Sequence, residues 1–159
     1  MTLSIERKQD ISIYQLLKQM FIDAPFINVV DGWPEDELAI PTIALEYDIV
    51  VPTPHEMGNK TNKRTRTWYI DIFATNKSQR DEIGFRILDS LENKIAVYDY
   101  DAGIPPTYSG PLSVIGYLDP EEVTLRNIKV FPELNEKLYY RAAVNFSADY
   151  LRDNSGGFS

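Results

Sequence analysis

Few residues in this chain could carry chemistry. The one histidine, His55, lies in His55-Glu56-Met57-Gly58-Asn59. A His-Glu-x-x-His helix would set two imidazoles on one face to bind zinc. Here Asn59 stands where the second histidine is needed, and Pro52 and Pro54 just upstream argue against a helix. Asp99-Tyr100-Asp101-Ala102-Gly103 is too short and too poor in ligands for a calcium loop and reads as a turn. Neither G-x-x-x-x-G-K-S/T nor G-x-G-x-x-G occurs, and zero cysteines exclude a disulfide framework and thiolate zinc sites. What remains is the carboxylates, 24 in all. Glu46, Asp48 and Asp71 stand out because strand alternation gathers them on one face of a hairpin. A catalytic dyad there would need a second titratable partner in an apolar setting, which the neighbouring sequence does not offer. The default for such a group is the polar face of a sheet. The sequence makes no positive case for an enzyme, a metal or a cofactor.

The elements that hold these residues read clearly. In Ser12–Phe21, Ile13, Leu16, Leu17, Met20 and Phe21 make one helical stripe, with Ser12 and Gln15 at capping-box spacing and Pro25 beyond the end. Residues 25–41 hold three prolines and Asp31-Gly32, so a loop is expected with at most a short strand near Ile27–Val30. Ile43, Leu45, Tyr47 and Ile49 then alternate with Ala44, Glu46 and Asp48, and Trp68, Ile70, Ile72 and Ala74 alternate with Thr67, Tyr69, Asp71 and Phe73. The simplest arrangement is a long antiparallel hairpin joined by residues 52–65. That is a loop of 14 residues against the usual ~2–5. Lys60, Lys63, Arg64 and Arg66 make it basic and mark it as a candidate contact arm.

A helix is expected from Ser78 to about Asn93, burying Ile83, Ile87, Leu88 and Leu91, with Asp81 as a capping partner. From Ile95 the pattern is strands and turns, closing on a strand with Tyr140, Ala142, Val144 and Phe146 inward and Arg141 and Asn145 outward. Residues 152–159 read as a frayed tail. The expectation is one α+β domain over 1–159: a mostly antiparallel sheet, a long-looped hairpin and two helices packed on one face. Apolar residues make up 43% of its 159 residues and charged ones 25%, as in ordinary soluble domains. The charged start and the lack of ~18 consecutive apolar residues point to an intracellular origin without a membrane anchor. Net charge is −8, which opposes DNA binding through phosphate neutralisation.

The element order, the Gly32-Trp33-Pro34 to Pro41-Thr42-Ile43-Ala44-Leu45 lead-in and the block Arg64 to Leu91 together resemble the tail-terminator family of tailed bacteriophages. These are also called tail-completion or tail-to-head joining proteins. The likeness spans about residues 10–150, and residues 103–132 are longer and more irregular than the family's minimum. The resemblance implies a structural virion protein at the neck: a ring, normally sixfold, that caps the tail tube, stops its growth and joins it to the head. Its implied partners are further copies of itself, the tail-tube protein and a neck or head-completion protein, with DNA passing unbound. Six copies at −8 each would carry about −48, a channel charge that repels phosphate. Glu46, Asp48 and Asp71 become candidates for the channel lining, and Lys60, Lys63, Arg64 and Arg66 for contacts with a neighbour or a tube subunit. A head-completion or stopper protein is the close alternative; an α+β enzyme or ligand-binding protein is the distant one.

Overall fold

The computed structural model describes residues 2–33, 39–54, 62–128 and 140–152, and side chains outside 49–64 within them. The order is α1 (Ile5–Met20), β1 (Asn28–Asp31), β2 (Thr42–Pro54), β3 (Asn62–Ala74), α2 (Lys77–Ser90), β4 (Ile95–Tyr98), a 3-10 turn at Tyr100–Ala102, β5 (Val114–Ile128) and β6 (Tyr140–Arg152). They form an α+β domain. The six strands make one sheet in the order β1-β2-β3-β6-β5-β4, antiparallel except for the parallel pair β1-β2. Both helices lie on one face. Ile13, Leu17, Ile83, Ile87 and Leu91 pack on Ile43, Leu45, Trp68, Ile70, Ile72, Val144 and Phe146. The Trp68 and Phe146 rings stack with centroids 5.4 Å apart.

Helix α1 begins eight residues earlier than the apolar stripe suggests. Ser4, not Ser12, is its N-cap and accepts from the Arg7 N–H at 3.1 Å. The first turns escape a hydrophobicity reading because Lys8 and Gln9, both buried, stand where apolar residues are expected. Each is buried with a partner: Lys8 Nζ lies 3.0 Å from Asp99 and 2.8 Å from Asp101, and Gln9 accepts from Arg66 at 3.2 Å. Ser12 sits mid-helix, donates to the Lys8 carbonyl at 2.8 Å and accepts from the Tyr98 N–H at 3.2 Å, tying β4 to the helix. In the same way α2 is capped by Asn76 rather than Ser78, with Asn76 accepting from the Gln79 N–H. Asp81 pairs instead with Lys77 and Arg80. Gly84 lets α2 settle on β5: an added Cβ there would lie 3.0 Å from Leu125 Cδ1.

The hairpin is longer than the sequence suggests. Strand pairing continues to Pro54 and Asn62, so only residues 55–61 of the expected 52–65 loop lie outside the ladder and outside the described residues. Backbone polarity explains how two prolines fit a strand. Asn28 and Gly32 donate to the Pro41 and Leu45 carbonyls, so odd-numbered residues of β2 face β1 and even-numbered ones face β3. The register shift between Tyr47 and Ile49 reverses this parity. Pro52 and Pro54 therefore turn their nitrogens, which carry no hydrogen, away from β3 and toward the open edge. Carried across the ladders, the same alternation turns Pro120 of β5 to the opposite open edge, beyond the end of β4. At these three positions the open edges lack the donor that a foreign strand would need. β5 itself, which reads as two segments in the sequence, is one strand bent at a bulge where Glu122 takes φ 52°.

Arg66 corrects the reading of the basic loop. It is 3% exposed and belongs to β3. Its Nη1 donates to the Glu6 carbonyl at 2.7 Å and lies 2.9 Å from Asp10, while the guanidinium stacks over the Trp68 ring at 4.6 Å. Replacing Arg66 by Ala should cost about 3 kcal/mol, because Asp10 and the α1 carbonyl lose their charged partner in a buried setting. Urea denaturation checks this, with Arg66→Lys expected to recover less than half the loss. The Lys8 cluster adds a pH dependence. Hydrogen bonds from Lys8 and from the Leu3 N–H hold the Asp101 carboxyl below 3.8, so its contribution is present above 3.8 and fades as pH falls through the lower folded value. Its hydrogen bond to Asp101, and then that to Asp99, raise Lys8 above 10.5 against the cost of burial, so its share is present below 10.5 and fades as pH rises through the higher folded value. In Lys8→Met the fall in urea midpoint from neutral pH to about pH 3 should be shallower than in the wild type.

Candidate functional site

With both helices on one face, the other face of the central strands carries no helical layer among the described residues. Directly paired residues share a face, so the registers place Glu46, Tyr69, Asp71, Phe73, Arg141, Asn145, Ser147 and Asp149 together there, along with Asp119, Glu121 and Arg126 of β5. Small hydroxyls run down its middle: Thr67 and Ser147 lie 3.1 Å apart, and Thr65 donates to Asp149 at 3.3 Å. Among the described side chains the paired positions of this face carry five carboxylates (Glu46, Asp71, Asp119, Glu121, Asp149) and two arginines (Arg126, Arg141), a balance of −3, with Asp48 beside them at the β2 register shift.

Glu46, Asp48 and Asp71 meet around one phenol. Burial pushes Tyr69 up from its ordinary value, and the charges of Asp71, Asp48 and Glu46 push it further. Their roles nevertheless differ. Asp48 is the unpaired residue at the β2 register shift and is exposed. Glu46 is half-buried; its Oε1 accepts from the Tyr47 N–H at 3.1 Å, and the side chain reaches a cleft of about 200 Å³ at the end of β1, lined also by Arg7, Asp10, Asp31 and Tyr47. Asp71 departs from the expected open lining: it is 3% exposed, and Arg141 Nη2 donates to it at 3.0 Å. Arg141 lies over the Phe73 ring at 5.1 Å and the Trp33 ring at 5.4 Å, with Trp33 edge-on to Phe73. The chain after β1 thus folds over this end of the face and converts Asp71 into half of a buried ion pair.

Of the four basic candidates, Lys60 lies outside the described residues, Lys63 and Arg64 fall in β3 with side chains outside them, and Arg66 faces the helix side as described above. His55 also lies outside the described residues. Asp99–Gly103 forms the expected turn, its two carboxylates held by Lys8. Among the described residues no cluster of His, Cys, Asp or Glu is placed to hold a metal ion, and no helix is long and apolar enough to cross a membrane. Sequence reading missed Asp119, Glu121 and Asp149 as members of the acidic face. The Asp119-Pro120-Glu121-Glu122 run was the available signal, but the bulge hid its register. No protein-family model matches the chain, and no curated protein matches it.

Asp71→Asn should destabilise the fold by about 3 kcal/mol by leaving Arg141 without its charge partner. The same change should bring the Tyr69 phenol back toward 10.0, since one of the charges that raises it is gone. Denaturation and ¹³C NMR titration of Tyr69 read the two effects separately.

Proposed function

We propose that this chain is a structural ring subunit of a virus particle, with its helix-free acidic sheet face turned toward a DNA channel. More specifically, it is a tail terminator of a tailed phage: a ring that caps the tail tube at its head-proximal end, stops tube growth and joins tail to head. The observation that carries this reading is the sheet face itself, one side fully packed under two helices and the other open, polar and net negative. Such a face suits a lumen. Fixed negative charge repels the phosphates and supplies no cations to replace their counterions, so DNA slides without being held. The channel charges in this reading are Glu46, Asp48, Asp119, Glu121 and Asp149; Asp71 has a structural role beneath them.

Light scattering should give a closed assembly near six chains of 18.2 kDa, about 109 kDa, and adding the protein to polymerising tail-tube subunits should fix tube length. Tubes that elongate unchanged in its presence would sink the proposal. Glu121→Lys with Asp149→Lys should leave assembly intact but make the ring retain DNA at low salt, with release as salt rises.

A further inference from the structure

Residues 119–128 of β5 run past the end of β4, whose pairing stops at Leu118. Among the described residues this stretch has no neighbour on its outer side. Which of its backbone groups point outward follows from the ladders. The Tyr98 N–H is held by Ser12 and the Asp99 N–H donates to the Ser113 carbonyl at 2.9 Å, so odd-numbered residues of β4 face β5. Leu118, opposite Ile95, therefore faces β4, and Asp119 faces Asp149 of β6. From Asp149 the alternation of β6 turns Ser147, Asn145 and Ala143 toward β5, and their partners Glu121, Thr124 and Arg126 toward β6. Leu125 and Asn127 are left with both N–H and C=O directed at the open edge.

The first half of this edge is protected by Pro120 and by the bulge at Glu122. The second half, 124–128, is not. An extended chain laid along it would pair with the backbone of Leu125 and Asn127, a mode in which main-chain bonds supply affinity and alternate side chains supply selectivity. The side chains specify what that chain carries. Arg126 is exposed on the acidic sheet face, and among the described residues it has no hydrogen-bond or ion-pair partner. A residue directly opposite it in an added strand lies about 5 Å away, where a carboxylate is attracted and a cation repelled. Leu125, half-buried against Gly84 of α2, favours an apolar neighbour, as does half-buried Ile128 on the other face. Exposed Asn127 favours a polar one. A second copy of β5 fails this requirement. The register that uses both outward residues pairs Leu125 with Asn127 in each direction and sets Arg126 against Arg126.

We propose that the β5 edge at 124–128 receives an extended segment of another protein by antiparallel strand addition. That segment carries apolar, polar, acidic and apolar residues in order, set against Ile128, Asn127, Arg126 and Leu125. Such an edge site stands whether or not the chain forms a ring.

The probes are a capped peptide, acetyl-Ser-Val-Thr-Glu-Val-Ser-amide, and the same peptide with lysine for glutamate, read by amide hydrogen exchange in NMR spectra of the full chain. Without peptide, the Leu125 and Asn127 amides should exchange fast and the Thr124 and Arg126 amides slowly, since only the latter pair is bonded within the sheet. Millimolar acidic peptide should slow Leu125 and Asn127 several-fold and leave Thr124 and Arg126 unchanged. The lysine peptide should bind on the order of tenfold more weakly, and Arg126→Glu should reverse that preference. Asn127→Pro removes a donor that points to solvent in the free chain, so β5 stays paired while the slowing at both amides is lost. Circular dichroism checks that both variants fold. Peptide that leaves exchange at Leu125 and Asn127 unchanged overturns the proposal. So does protection of these two amides without peptide, which at every concentration means that the chain covers its own edge and with rising concentration means that a second copy does.

Discussion

The fold depends on a buried arginine. Arg66 carries a charge into the boundary between α1 and β3, where its hydrogen bonds reach a carbonyl and two side chains of the helix and its plane rests on Trp68. Trp68 donates its own indole N–H to the same Asp10, at 2.9 Å. Such a group is costly to desolvate, and helix and strand together offset that cost at Nη1 and at the ring plane, while its Nε stays buried without a hydrogen-bond partner. The result is a fixed crossing between α1 and the sheet, at the point where the hairpin leaves the body of the domain. With α1 in place, Lys8 clamps the Asp99–Asp101 turn and Ser12 holds Tyr98, so one helix orders both ends of the strand sequence.

That asymmetry decides what the other face becomes. Among the described residues, two helices cover one side of the six-stranded sheet, and the chain after β1 covers one end of the other, with Trp33 over Arg141 and Phe73. The rest is mostly polar, hydroxyls and carboxylates with Asn145 and Arg126, beside the half-exposed pair Tyr117 and Leu151. Antiparallel sheets commonly keep one face wet, and here that face is net negative and gathers Glu46, Asp48 and Asp71 around Tyr69. The edges follow a separate rule. Prolines at outward-facing positions on β2 and β5 remove donors through which a sheet would grow by strand addition.

Much of this was legible in the residue pattern. Alternation in 42–47 and 67–74 predicts the hairpin and its two faces, and the 3.6-residue stripes locate both helices because a one-sided core demands those periods. Other features were not. The start of α1 was hidden by Lys8 and Gln9, whose burial depends on Asp99, Asp101 and Arg66, residues 57 to 93 positions away. Strand pairing through Pro52 and Pro54 was hidden because proline reads as a breaker until the direction of its nitrogen is known.

By itself the sequence determined the α+β class, the hydrophobic face of each element and the acidic balance of the chain, since these follow from local periodicity and composition. Only the tertiary structure decided which charges are available. In sequence Arg66 looks no different from Lys63 or Arg64, nor Asp71 from Asp48, yet Arg66 is sealed beneath a helix and Asp71 beneath Arg141. Asp119, Glu121 and Asp149 join Glu46 on one surface only through the β5 bulge and the β5–β6 register. Burial and register are set by contacts between distant segments, and a one-residue shift in either strand would send the same carboxylates to the opposite side.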